Sequence, residues 1–249
     1  RIHSAEQAKQ AVRLAQDAGF DNINVDLIFS LPDQTPKRWE ENLKQAVALN
    51  TQHLSAYSLI VEQNTPLARM VQSKQVQVLP AESDAQLFEI TMEYLSAQGF
   101  EQYEVSNYAK PGFHSRHNLH YWTHEHYLGF GPSAHSFYSG RRWWNVANLR
   151  TYSEKLSSHL VPVAGEETLS DEQLLDETVM LGLRSRGVDL NYLKNRFGLD
   201  LMEGNGSPLE ELFVEKLAVL DQSVLRLTSK GFLLCDEISR RLLSGYCPA

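Results

Sequence analysis

The sequence is poor in cysteine, in long apolar segments and in positive charge, and each shortage excludes a class of protein. Cys235 and Cys247 are the two cysteines among 249 residues, too few for a disulfide-built fold and typical of a reducing compartment. No apolar run approaches the ~20 residues that a membrane-spanning helix needs. The formal net charge of −8 disfavours nonspecific binding to nucleic acid. We therefore expect a cytoplasmic globular protein with no nucleic-acid partner.

The start of the sequence lacks the features of a natural N-terminus. It opens at Arg1 without an initiator methionine, shows no signal-peptide order of charged, apolar and small residues, and enters a helical pattern almost at once. We expect these residues to be the later part of a longer polypeptide.

The first half alternates between helical and strand patterns. After a first helix ending near Gly19, the apolar segment NINVDLIFSLP is typical of a strand buried on both faces. A helix from Thr35, a strand HLSAYSLIVE, a helix over 81–98 and a strand FEQYEVSNYA follow. The alternation predicts an α/β fold with parallel strands. Three such units are fewer than the eight of a closed barrel, so we expect an incomplete barrel.

The pattern changes after about residue 145. The segment VPVAGEETLS has a linker-like composition and helices dominate from Asp171, which predicts a domain boundary near Val163, between domains 1–163 and 164–249. The second domain reads as mostly helical with a short hairpin, in outline like a winged helix. Acidic residues outnumber basic ones there, which disfavours DNA reading and leaves a packing, lid or protein-docking role.

Histidine is concentrated in one stretch. Six of the nine histidines lie between Gln102 and Ser136: His114, His117, His120, His124, His126 and His135. We expect their nitrogens and the neighbouring aromatic rings to gather around one spot, which would suit an iron or a flat macrocycle.

The segment HNLHYW, residues 117–122, offers the most specific candidates. On a helix, His117, His120 and Tyr121 share a face, so a neutral imidazole could ligate haem iron while Tyr121 and Trp122 cover the ring. The same side chains could instead cap loops and fill a polar seam between domains. A zinc site of His117, His120 and His124 is a third interpretation, although no HExxH motif supports it.

Two further groups are chemically suggestive. Asp26 lies in an apolar strand, so its carboxylate should meet a ribose hydroxyl, an arginine or a backbone amide, and a purely structural partner is equally open. Arg141, Arg142, Trp143 and Trp144 could hold a carboxylate and stack on a flat ligand, or could belong to a surface hairpin.

Six motifs in order resemble those of one family: RIHS, VDLIFSLPDQT, LSAYSL, YEVSNYAKPG, HNLHYW and LGFGPSAHS. The chain is similar, along essentially its whole length, to the radical SAM family that contains oxygen-independent coproporphyrinogen III oxidase and the haem chaperone HemW. The resemblance implies a partial radical SAM (β/α) barrel with a HemN-like insertion over 1–163, followed by a helical HemN-type C-terminal domain over 164–249.

The resemblance also implies a function and its residues. The HNxxYW pattern resembles that of the chaperones, which implies binding of haem and transfer to acceptor proteins; the alternative is radical decarboxylation of coproporphyrinogen III. The implied haem contacts are His117, the candidate ligand of the iron, with Asn118, Tyr121 and Trp122. The implied S-adenosylmethionine contacts are Arg1, at the carboxylate end, and Asp26, at the ribose.

The sequence departs from the family pattern in two respects. The CxxxCxxC motif that holds a 4Fe-4S cluster is not in these residues, and Cys235 and Cys247 cannot replace it, so the chain alone should not cleave S-adenosylmethionine. Ser30 stands where the family leads us to expect glycine, and its side chain could hinder a ligand.

The expected partners follow from the same resemblance. They are haem and haem-accepting proteins, with membrane-bound respiratory proteins among the candidates. An exposed barrel edge could pair two copies of the chain into a homodimer. The expected location is the cytoplasm, including the inner face of the membrane as a peripheral site.

Overall fold

The computed structural model describes residues 3–202 and 208–243. They divide between His114 and Ser115 into two compact units. Both units mix helices with short strands, as the α/β pattern predicts. No helix in these described ranges combines the length and the apolar character needed to cross a bilayer.

The first unit is a helix-covered sheet. Its described elements are α1 (Ala5–Asp17), β1 (Asn24–Phe29), α2 (Pro36–Val47), β2 (His53–Ser58), α3 (Pro66–Gln72), α4 (Ala81–Ala97), β3 (Glu101–Glu104) and β4 (Asn107–Ala109). The strand order is β1-β2-β4-β3. Strands β1 and β2 are parallel, as predicted, and the other two pairs are antiparallel.

Local sequence explains where the first helices begin. The Ser4 and Gln7 side chains form a reciprocal capping box on α1, and the Thr35 hydroxyl accepts the Arg38 N–H at the start of α2. The core of this unit lies between α2, α4 and the sheet. Its centre is Trp39, fully buried, whose indole N–H donates to the Thr91 hydroxyl at 2.9 Å.

The segment predicted as one strand over residues 100–109 is a hairpin instead. Strand β3 ends at Glu104, and the Glu104 carboxylate accepts the Ser106 N–H at 3.2 Å. The turn therefore receives its hydrogen bond from a side chain, without the glycine or proline that marks most turns in a sequence.

The second unit contains two small antiparallel sheets and a helical core. Its described elements are α5 (Arg116–Trp122), β5 (His135–Tyr138), β6 (Arg141–Asn145), α6 (Leu149–Ser157), β7 (Val163–Thr168), α7 (Asp171–Leu183), β8 (Val188–Asp189), α8 (Leu190–Phe197), α9 (Pro208–Val214), β9 (Ala218–Asp221), β10 (Val224–Leu227), α10 (Ser229–Phe232) and α11 (Cys235–Leu243). The strand orders are β5-β6-β7 and β8-β10-β9.

The segment predicted as a linker is a paired strand. Val163 to Thr168 form β7, which pairs with β6 along its length. The compact-unit division lies well before Val163, and the domain boundary near Val163 stays a prediction. Beyond β7, helix α7 packs against α11 and the β8-β10-β9 sheet, which matches the expected winged-helix outline.

Candidate functional site

The HNLHYW segment forms a short helix, as its spacing predicts. Ser115 precedes α5 in an extended conformation, and its hydroxyl accepts the Asn118 N–H at 3.3 Å. The helix stops at Trp122 because His124, two residues further on, adopts a left-handed backbone with φ of 56°. The cap and the stop leave two turns of helix to display the motif.

His117 and Tyr121 meet on the exposed face of α5. Their rings lie 5.1 Å apart at 83°, and Tyr121 in turn packs edge-on against Tyr127 at 4.7 Å. We call His117, Tyr121 and Tyr127 the aromatic row. Both His117 and Tyr121 are exposed. Within the described residues the His117 imidazole has this ring contact and no hydrogen bond, so its nitrogens are open to a ligand.

Four other histidines of the segment 102–136 contact carboxylates or aromatic rings. The His120 Nδ1 lies 2.5 Å from the Glu125 carboxylate. His126 packs on Tyr138 at 4.4 Å between ring centroids, and His135 lies over Trp144 at 5.8 Å. The prediction that these side chains gather around one spot holds in part. His124 and His126 both contact the Phe137 ring, and Tyr127 joins that ring to Tyr121 and His117. His120 and His135 have other partners.

His124 is held between a ring and a carboxylate. Its imidazole stacks on Phe137 at 4.5 Å, and its Nε2 lies 3.0 Å from the Glu177 carboxylate. Burial lowers the pKa of His124, and the Glu177 charge opposes that shift. Because the backbone leaves the helix at this residue, His124 cannot complete the predicted zinc face with His117 and His120. The described ranges contain no group of three or more His, Cys, Asp or Glu placed to hold a metal.

Asn118 and Trp122 are separated from the exposed face. Asn118 is half-buried, and its backbone N–H receives the helix cap. Trp122 is half-buried and lines a cavity of about 300 Å³ together with His124, Gly182 and Tyr192. The lining of this cavity does not include His117 or Tyr121. Of the four predicted haem contacts, His117 and Tyr121 therefore lie side by side, whereas Trp122 lines this separate cavity.

Two exposed apolar side chains follow the aromatic row and were missed by sequence reasoning. Leu128 is 63% exposed and Phe130 is 85% exposed. Their loop is fixed: the Gly129 N–H donates to the Ser136 hydroxyl at 3.0 Å, and a Cβ at Gly129 would lie 2.1 Å from the His135 carbonyl oxygen. The signal in the sequence was the pair of glycines around Phe130, which we interpreted as turn residues.

The arginines of β6 are paired with glutamates. Arg141 bonds Glu166, and Arg142 bonds Glu167 at 3.0 Å and Glu177 at 2.6 Å. The surface-hairpin interpretation is confirmed, because β5 and β6 pair directly and the guanidinium groups are already satisfied.

Asp26, in the first unit, lies exposed on β1. Its Oδ1 accepts the side-chain N–H of Asn24 at 2.7 Å, a donor that the sequence analysis did not consider. The other predicted S-adenosylmethionine contact, Arg1, lies outside the described residues.

Ser30 has the backbone that explains why glycine was expected there. Its φ is 58°, in the left-handed region that favours glycine. The side chain is buried and its hydroxyl donates to the Asp84 carboxylate, which also accepts the Ser58 hydroxyl. The Ser30 side chain is thus committed to Asp84.

The described cysteine is unsuited to a cluster. Cys235 is buried, and burial, with Asp236 adding to the effect, raises the pKa of its thiol to about 11. A thiol that stays protonated is a poor metal ligand. Cys247 lies outside the described residues. The residues present therefore do not fit a 4Fe-4S cluster.

Comparisons with known proteins agree with the motifs. The HemN C-terminal domain family model matches residues 169–234. The chain is 35% identical to heme chaperone HemW of Bacillus subtilis over 96% of its length and 63% of the relative. It is 37% identical to heme chaperone HemW of Mycobacterium tuberculosis H37Rv over 98% of its length and 60% of the relative.

A solved structure shares the fold. Coproporphyrinogen III oxidase (HemN) from Escherichia coli, described as a radical SAM enzyme, matches with a TM-score of 0.73 and 19% identity over 99% of this chain and 60% of that chain. The chain spans about three fifths of the length of the curated relatives it matches. The chain is thus similar over nearly its whole length to proteins named heme chaperone HemW, and it shares its fold with the radical SAM enzyme HemN.

Proposed function

We propose that the protein to which this chain belongs binds haem through His117 and passes it to acceptor proteins. Its curated relatives carry the name heme chaperone. The observation that carries the proposal is the state of His117, an exposed imidazole with a ring contact and no hydrogen bond among the described residues.

An axial ligand needs an unprotonated nitrogen and an open approach for a wide macrocycle. His117 lies on an exposed helix face, and its edge contact with Tyr121 restrains the ring without covering it. The imidazoles of His120 and His124 each lie within 3.0 Å of a carboxylate, so one nitrogen of each ring already contacts a protein group. His117 is therefore the best ligand of the three.

The surroundings suit an apolar, flat cargo. Tyr121 presents a ring beside His117, and Leu128 and Phe130 expose apolar area just after Tyr127 in the aromatic row. Covering apolar surface stabilises a complex by roughly 25 cal/mol per Å². The Asn118 N–H donates to the Ser115 hydroxyl at the start of α5 and so stabilises the helix that carries this face. The contribution proposed for Trp122 to haem binding is indirect, because Trp122 lines a separate cavity.

S-adenosylmethionine is the second proposed ligand. The exposed Asp26 carboxylate suits the ribose hydroxyls, and Arg1 is proposed at the carboxylate end. A 4Fe-4S cluster, expected from the family, does not fit the residues described above, so no step is assigned to it. The alternative function, decarboxylation of coproporphyrinogen III, draws on the shared fold alone.

The proposed partners are haem-accepting proteins, membrane-bound respiratory proteins included. We propose a cytoplasmic protein that reaches such acceptors from the inner face of the membrane. Pairing of two copies is a further proposal, tested by the mass of the haem-loaded protein in solution.

Haem titration of matched variants tests the proposal. We expect His117→Ala to lower haem affinity by at least tenfold and to shift the Soret band, because the iron loses its axial nitrogen. His120→Ala is the control, since it removes an exposed histidine of the same helix that is paired with Glu125. Unchanged affinity and an unchanged Soret band in His117→Ala would refute the proposed ligand.

A further inference from the structure

A chain of hydrogen bonds crosses one face of the sheet in the first unit. Asn24 and Asp26 are two residues apart on β1, so their side chains share a face. In the parallel register Asn24 lies opposite His53, and Asp26 lies opposite Ser55. Tyr103, on β3, completes the chain from the far side of the sheet.

The distances give this chain a single direction. The Asn24 Nδ2 lies 2.7 Å from the Asp26 Oδ1, which accepts hydrogen bonds only, so the amide nitrogen donates there. The Asn24 Oδ1 lies 2.7 Å from the His53 Nδ1, which must carry the ring proton. The His53 Nε2 then accepts the Tyr103 hydroxyl, also at 2.7 Å.

Asp26 sets the orientation of the Asn24 amide, and His53 is the partner of its oxygen. If the amide were reversed, its oxygen would meet the Asp26 carboxylate and its NH₂ would require the other His53 tautomer, with Nδ1 unprotonated. Ser55 adds support, since its hydroxyl lies 3.0 Å from the Asn24 Nδ2 and donates to the Asn107 Oδ1 at 2.6 Å.

The two ends of the chain lie in different environments. His53 and Tyr103 are buried at 5% and 6% exposure, whereas Asn24 and Asp26 are exposed. Burial lowers the pKa of His53, which keeps the imidazole neutral and able to accept from Tyr103. The buried end of the chain is thus connected through Asn24 to one oxygen of the exposed Asp26 carboxylate, Oδ1. The other oxygen, Oδ2, has no partner among the described residues.

We propose that His53 is a positioning residue that, through Asn24, orients the Asp26 carboxylate to accept both hydroxyls of a nucleoside ribose. This inference rests on the proposed binding of S-adenosylmethionine and deepens it. A hydrogen bond at one oxygen restricts rotation of the carboxylate, so its remaining acceptor positions can meet a vicinal diol with a smaller loss of rotational freedom. Sequence reasoning identified Asp26 but not the residues that hold it.

Adenosine and 2′,3′-dideoxyadenosine are the probes, titrated into the full-length protein by NMR. The first carries the diol and the second lacks it. We expect the parent protein to favour adenosine by about tenfold, the discrimination typical of hydrogen bonds to a charged group. In His53→Leu the ratio of the two dissociation constants should fall to about one, with dideoxyadenosine binding unchanged.

Two variants separate positioning from simple structural support. His53→Asn keeps an N–H near the position of Nδ1 and should restore the preference for adenosine. Asn24→Leu removes the link at an exposed site and should lose the preference even if His53→Leu fails to fold.

The outcomes distinguish this inference from the proposed function. An undiminished preference in both His53→Leu and Asn24→Leu, or an equal weakening of both nucleosides, would overturn the positioning role. No preference in the parent protein would overturn the ribose site as well. Neither result affects the haem titration of His117, which lies in the other unit.

Discussion

Two histidines, one in each unit, lie in opposite environments. His53 is buried, and both ring nitrogens are occupied, by Asn24 and by Tyr103 at 2.7 Å. His117 is exposed and contacts the Tyr121 ring. The difference shows that the presence of a histidine is not enough to indicate a ligand site. Hydrogen bonds occupy both ring nitrogens of His53, whereas the His117 imidazole has no hydrogen bond among the described residues and can bind haem.

The largest expected effect concerns stability. His53→Leu removes one hydrogen bond from the buried Tyr103 hydroxyl and one from the side-chain oxygen of the exposed Asn24, and the loss of a bond to a buried polar group costs about 1–3 kcal/mol. We expect the free energy of unfolding to fall by about 1–3 kcal/mol in urea denaturation. A loss below about 0.5 kcal/mol would mean that the chain of hydrogen bonds does not hold the sheet.

A pH titration separates two buried groups of the first unit. Burial, opposed by the Asp26 charge and reinforced by His114, lowers the pKa of His53, so stability falls as pH drops below about 6.5 and the unfolded chain takes up the proton. Burial raises the pKa of Glu104 to about 7, so its contribution is complete below about 4.5 and is lost as pH rises through 7.

Variants should reveal these opposing slopes. In the parent protein the free energy of unfolding should fall by about 2 kcal/mol between pH 5 and pH 8 because of Glu104, and Glu104→Gln should abolish this decrease. His53→Asn should reduce the decrease in stability that occurs below about pH 6.5. His124, whose pKa is also lowered by burial, adds to the acid side from the second unit. Urea unfolding at several pH values is the measurement, and a Glu104→Gln curve parallel to the parent would contradict the assignment.

Ser30 tests how a polar partner offsets an unfavourable backbone. Ser30→Gly relieves the left-handed strain but loses the hydroxyl bond to Asp84, so the change should stay within about 1 kcal/mol. Ser30→Ala loses the bond and keeps the strain, and should be about 1 kcal/mol less stable than Ser30→Gly. Equal stability of the two variants would exclude strain at this residue.

The smallest effect is expected at His117. Its side chain is exposed and makes one ring contact, so His117→Ala should change the free energy of unfolding by no more than about 0.5 kcal/mol without haem. The same urea measurement checks this. A large loss would make His117 a structural residue, like His53.

Local patterns predicted much of the fold. Ser4 and Thr35 marked helix starts, the apolar run around Val25 marked a parallel strand, and the spacing of His117 and Tyr121 marked a shared helix face. These features depend on residues within one or two turns of each other, and so the sequence displays them directly.

Long-range partners could not be predicted in the same way. His53 stood in a segment that we interpreted only as a strand, and its two partners lie 29 and 50 positions away in sequence. The hairpin at Glu104 was hidden because a carboxylate supplies the turn bond. The zinc face failed because His124 leaves the helix through one backbone angle, which composition does not reveal.

The most direct test of the central claim is chemical rescue of His117→Gly with free imidazole. The account predicts that the variant loses the Soret band of the parent haem complex and that millimolar imidazole restores it, because imidazole refills the axial position. A His117→Gly protein that binds haem with the parent spectrum before any imidazole is added would contradict the account.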